Sequence, residues 1–136
     1  MFFSVDGNEN PLFKIKFGKM EDKSEFEKFK EFWKRLHQKM DTYMLMFDTL
    51  DMPILDVSYC YQMAKFIKIL KQDERKPLKY SVIIIKSSII RGLLNIIFKL
   101  QRPIATVYLV KDHEEAQTTL EKVRTGQEVS CTKILP

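Results

Sequence analysis

The side chains equipped for chemistry are few and scattered. The chain has two histidines and two cysteines. His37 falls at the border of an apolar helical stripe and His113 beside a helix start. Neither has a second ligand at the i+4 or short-loop spacing that a metal site uses, and neither has a neighbour placed to orient it as a base. Both are expected to be ordinary surface or border histidines. Cys60 falls on the apolar face of a helix, where a thiol behaves as a small buried hydrophobe. Gly7, Gly18, Gly92 and Gly126 stand apart from one another, so none of the familiar glycine-rich phosphate loops is present. Asp48, Asp51 and Asp56 gather at the carboxyl end of an apolar stretch, where open α/β sheets take their ligands. They could hold a cation or position a substrate, or serve as loop and cap residues. The expectation is a non-enzymatic binding protein with no cofactor and no metal.

Three surfaces carry more information. Lys65, Lys68 and Lys71 share about 120° of one helix's polar face with no acidic residue among them, a face that would suit an acidic partner or anionic lipid, or simply water. Aromatic residues do not interleave with these lysines, so they form no platform for single-stranded nucleic acid. The segment from Ile89 to Leu100 carries apolar residues over about 200° of its circumference, with Ile90, Leu94 and Phe98 among them. One sheet face rarely covers so much, and the surplus must meet a second element, a subunit, a partner or a lipid. Finally, Ser87 and Ser88 open that segment with Arg91 one turn on, which suits an anion at a helix amino end or plain serine capping.

These residues need elements to hold them. Phe2 to Val5 and Leu12 to Phe17 read as strands around a cluster of turn formers, Asp6 to Pro11, and so as a hairpin. Phe13, Ile15 and Phe17 alternate with Lys14 and Lys16, as in a half-buried strand near a sheet edge. Ser24 and Glu27 have capping-box spacing at the start of a helix to about Met40, with Phe26, Phe29, Phe32, Trp33, Leu36 and Met40 on one stripe. A strand over Tyr43 to Phe47, a helix over about Asp56 to Lys71 and a strand over Tyr80 to Ile85 follow. Then come a helix from Ser87-Ser88 to Leu100 blocked by Pro103, a strand over Ile104 to Val110, and a helix capped by Asp112 that runs through Val123. Alternating strands and helices predict a mostly parallel sheet of four or five strands with four helices.

The chain has 136 residues, 45% hydrophobic and 30% charged, at a net charge of +5. That length suits one domain, expected over residues 1–124, with residues 125–136 as a tail. The two distant cysteines and the absence of a leader pattern at Met1 to Asn10 predict a reducing, cytoplasmic setting. No apolar run approaches the roughly 20 residues a membrane span requires.

The order of elements resembles the STAS domain of anti-sigma-factor antagonists and sulfate transporters, from about Asn10 to Val123. The most local likeness is Tyr43-Met44-Leu45-Met46-Phe47-Asp48 through Asp56-Val57-Ser58, which is similar to that family's apolar strand, short loop and Asp-Ser-Ser-Gly helix start. In antagonist members the second serine is phosphorylated to control partner binding, so the resemblance implies Asp56 as the motif aspartate and Ser58 as the switch serine. Val57 replaces the first serine, and Tyr59 and Tyr61 stand where the family has glycines. The stretch Val107 to Ala116 is similar to the family's last strand and acidic-capped helix.

Two functions follow as expectations. One is a regulatory protein-interaction or self-associating module whose partner surface comprises Asp51 to Ser58, Lys65, Lys68, Lys71, Ile90, Leu94 and Phe98. The other is a small-ligand or lipid carrier, since the related CRAL-TRIO domains share the strand-helix superhelix. In that case the apolar surplus would line a cavity, and the lysines would touch anionic membrane.

Overall fold

A computed structural model describes residues 1–136. Its elements are β1 (Phe3–Glu9), β2 (Leu12–Phe17), α1 (Ser24–Lys39), β3 (Tyr43–Asp48), α2 (Ser58–Leu70), β4 (Leu78–Ile84), α3 (Ser88–Leu100), β5 (Val107–Val110), α4 (His113–Arg124) and β6 (Thr132–Ile134). The six strands form one sheet in sequence order. Pairing is parallel from β2 through β5 and antiparallel at both edges, β1 with β2 and β5 with β6. The expected parallel core and hairpin are present, but the sheet is mixed and has six strands where four or five were expected, and two details are corrected. The hairpin turn lies at Asn10-Pro11, because β1 carries the turn formers Asp6 to Asn8 within the strand beside a register shift. The supposed tail supplies β6, whose three residues close the open edge of β5.

Strand parity divides the interior into two layers. Ile15 and Phe17 of β2, Tyr43, Leu45 and Phe47 of β3, Ile83 of β4 and Val107 and Leu109 of β5 face α1, α2 and α3 in one large core. Because successive parallel strands are neighbours, crossovers of one hand place all three helices on the same side. The opposite parity, Met46, Val82, Ile84 and Val110, packs against Ala116 and Leu120 of α4 in a smaller core. Since α4 rests mainly on β4 and β5 and reaches β3 at Met46 and Asp48, the outer side of β1 and β2 stays open. Its residues are accordingly polar: Ser4, Asp6, Lys14 and Lys16.

The expected stripe of α1 points inward, with Phe26, Phe29, Trp33 and Leu36 buried and Phe32 and Met40 packed at the border. The expected capping box does not form. Glu25 instead reaches back, accepting from the backbone N–H groups of Phe2, Glu21 and Asp22, while Asp22 accepts from Ser24. These bonds to its charged form hold the Glu25 carboxyl below its ordinary value. His37 is also corrected, from a border residue to one only 2% exposed. The Trp33 indole N–H donates to the Tyr43 hydroxyl at 2.9 Å, so that hydroxyl's own proton points to His37 Nδ1 at 2.6 Å. The imidazole is therefore neutral and carries its proton on Nε2, which donates to the Leu70 carbonyl at 3.1 Å. One polar chain thus ties α1 and β3 to the end of α2. Burial pushes the His37 imidazole down and the Tyr43 phenol up, which keeps both neutral.

Candidate functional site

The carboxyl ends of the parallel strands carry the loops on which the aspartates lie. β3 and β4 end side by side, Asp48 opposite Ile84, and Thr49 locks the junction through its N–H and hydroxyl, both donated to the Ile84 carbonyl. The loops into α2 and α3 therefore leave from the same edge of the sheet. The three aspartates do not converge. Asp48, 6% exposed, accepts the Leu50 N–H at 3.0 Å and meets His113 Nε2 at 3.0 Å on the outer side of the sheet. Asp51 pairs with Lys16 at 3.4 Å, both in solvent. Asp56 accepts the Ser58 N–H at 2.8 Å, which closes the turn into α2 and lowers the Asp56 carboxyl. Each carboxylate has a local structural task, and no three acidic, histidine or cysteine side chains form a metal-sized group.

What this edge does present is apolar. Leu50, Ile54 and Val57 in the β3–α2 loop, Tyr61 in the first turn of α2 and Ile89 in the first turn of α3 are exposed, Ile54 to 66%. Isolated exposed apolar residues are common, but five on two adjacent loops and helix starts need a reason. Ser58 is exposed among them. Of the two aromatics that flank it, Tyr59 turns inward onto Phe26, with ring centroids 4.9 Å apart, while Tyr61 stays outside.

The surplus of α3 has two destinations. Ile90 and Phe98 are buried, a correction to their expected place on a partner surface, and Leu94 is half-buried. All three line a cavity of about 150 Å³ between the sheet and α1, α2 and α3. Ile89, Ile96 and Leu100 remain at least partly outside, Ile89 and Leu100 half-exposed. Of the cavity's 26 lining residues 23 are hydrophobic, and none is charged. Protein interiors seldom leave space larger than a water molecule.

Lys65, Lys68 and Lys71 are exposed along α2 as expected, and Lys71 Nζ reaches the Arg102 carbonyl at 3.4 Å. At α3 the Ser87 hydroxyl accepts the Ile90 N–H at 3.2 Å, so this serine acts as the helix cap while Ser88 and Arg91 face solvent. Cys60 is buried with its thiol on the Leu93 carbonyl at 3.5 Å, and burial pushes that thiol's titration up, away from nucleophilic use.

The sequence reading missed the Asp48–His113 pair, because the two residues lie on different elements and meet only once α4 crosses the sheet. It placed the loop Asp51 to Ser58, with Ile54 and Val57, on the partner surface, and did not single out Tyr61 or Ile89 beside it.

Fold and site together define a mixed-sheet α/β domain with helices mainly on one face, an apolar patch at the carboxyl edge of its parallel strands and an apolar cavity beneath. Comparison of the chain with family models, with curated proteins and with solved structures found no match. No helix is long and apolar enough to cross a membrane.

Proposed function

We propose that the chain is a regulatory protein-interaction module of STAS-like type, which docks a partner or a second copy through the carboxyl edge of its sheet. The observation that carries this reading is the exposure of Leu50, Ile54, Val57, Tyr61 and Ile89 together on that edge. Such side chains gain by leaving water, at roughly 25 cal/mol per Å² buried, and a partner is what removes them from it. Lys65 and Lys68, further along α2, favour an acidic surface beside the apolar contact and would speed its approach.

Support for a phosphoswitch is positional. Ser58 is exposed at the first residue of α2, between Val57 and Tyr61. A phosphate there adds about two negative charges to the middle of the apolar patch, while the helix amino end tolerates them. The modified domain would keep its fold and lose its partner.

The test is light scattering on the eluting protein, together with capture from the native cell, for the wild type and for Ile54→Asp with Ile89→Asp. The wild type is expected to self-associate or retain a specific partner, and the variant to lose this with an unchanged circular dichroism spectrum. A strictly monomeric wild type that retains nothing specific, or a variant that retains everything, would overturn the reading.

A further inference from the structure

We infer that the outer surface of α2 and α3 seats one amphipathic helix of a partner protein, apolar along one side and acidic on its flanks, laid along α3. This deepens the docking reading above and rests on it: it names the partner's chemistry and carries the contact from the sheet edge along the helix.

The seat begins with spacing. Ile89, Leu93, Ile96 and Leu100 follow one another at intervals of four, three and four residues, so they fall within about 60° of each other on α3. Ile89 and Leu100, at the two ends, are 53% and 50% exposed, and Leu93 and Ile96 between them are half-buried. Such spacing is the one with which two helices pack side by side along a seam. The domain's own core is served by another face of α3, where Ile90 and Phe98 are buried. Gly92 borders the seam, and a Cβ added there would meet no atom within 4 Å. Glycine weakens a helix relative to alanine, and nothing packed against Gly92 within the chain calls for it. It does let a second backbone come close.

Charge decides the occupant. Neither α2 nor α3 contains an acidic residue. On one side the seam is bordered by Lys65, Lys68 and Lys71 of α2, a row that ends where Lys71 Nζ reaches the Arg102 carbonyl just beyond α3. On the other side stand Arg91 and Lys99 of α3 itself. All five are exposed, and none takes part in an ion pair, whereas Lys14, Lys16, Lys30, Arg75 and Arg124 elsewhere all do. A second copy laid on this seam would set cations against cations, which is repulsive. An anionic bilayer would satisfy the lysines but gives no reason for the regular spacing or for Gly92. A helix with leucine-like side chains at the matching spacing and carboxylates beside them meets the seam and both basic rows together.

The experiment is calorimetric and amide-shift titration of the full chain with a synthetic peptide of about three heptads, leucine at a and d and glutamate at e and g. The glutamates keep this peptide from pairing with itself, and a counterpart carries lysine in their place. The acidic peptide is expected to bind one to one, to shift the amides of Ile89, Gly92, Ile96 and Leu100, and to weaken as salt rises; the lysine peptide is expected not to bind. Lys68→Glu with Lys99→Glu should reverse the preference by roughly tenfold or more. Ile96→Asp with Leu100→Asp should weaken the acidic peptide roughly tenfold or more with an unchanged circular dichroism spectrum. Should that variant not fold, the charge reversal, made on exposed residues alone, decides. No binding of the acidic peptide at any soluble concentration, amide shifts elsewhere, equal binding of the two peptides, or an unreversed preference would overturn the seat. Binding to vesicles of phosphatidylserine and phosphatidylcholine without binding of the acidic peptide would overturn it in favour of a membrane. A native partner lost with Ile54→Asp and Ile89→Asp yet kept with Ile96→Asp and Leu100→Asp would overturn the helix seat and leave the edge reading standing. Peptide binding by a chain that retains no native partner would support the seat and count against the edge reading.

Discussion

Replacing Tyr43 by Phe removes one oxygen from the middle of the buried polar chain, and its cost can be worked out group by group. Tyr43 is fully buried, and its hydroxyl is both the acceptor for the Trp33 indole N–H and the donor to His37 Nδ1. Without it, an indole donor and an imidazole acceptor are stranded where water does not reach, while His37 keeps only its Leu70 bond. Each stranded group costs about 1 to 3 kcal/mol, so the variant should lose about 2 to 6 kcal/mol. That is a large share of the roughly 5 to 15 kcal/mol by which such domains are stable. Urea unfolding followed by tryptophan fluorescence and circular dichroism measures the loss, since Trp33 is the chain's only tryptophan. In a cycle with His37→Leu, the two losses should fall short of additivity by about 0.5 to 3 kcal/mol, because both variants break the same bond. A loss under about 0.5 kcal/mol for Tyr43→Phe, or strict additivity, would refute the network.

Three further outcomes follow from the same structure. Burial lowers the folded-state pKa of His37 from its ordinary 6.5, so the unfolded chain binds the proton more readily. Its contribution should therefore be complete above about pH 6.5, be lost as pH falls through the depressed folded value, and vanish from the pH profile of His37→Leu. Asp112 accepts the Glu115 N–H at 2.8 Å as the cap of α4, so Asp112→Ala should cost about 0.5 to 2 kcal/mol in denaturant unfolding without altering the helices on the other face. Ser58→Glu should leave the melting temperature within a few degrees of wild type yet weaken partner retention at least tenfold; unaltered retention would remove Ser58 from the interface.

Much of the architecture was legible because its causes are local. Ser87 and Pro103 bracket α3, Asp112 opens α4, and the alternation of Phe13, Ile15 and Phe17 with lysines marks a strand whose outer side no helix covers. What escaped was set by distant partners. The three residues of β6 carry no pattern of their own, and they are a strand only because β5 offers an open edge. Glu25 displaced the expected Ser24 and Glu27 cap because the Phe2 N–H, 23 residues earlier, is within its reach. His37 looked like a border residue because periodicity places it at the rim of the stripe; what buries it is Tyr43 and the end of α2. For the site, the width of the α3 stripe correctly announced more apolar surface than a sheet face hides. It could not divide that surface between a cavity and the outside, and this is why Ile90 and Phe98 were misplaced.

The most direct measurement of the interaction role is the molar mass and partner retention of the purified chain by light scattering and native-cell capture, beside Ile54→Asp with Ile89→Asp. An assembled or partner-bound wild type and a folded, solitary variant is the expected pair. A wild type that stays monomeric and alone at every concentration tested would contradict it.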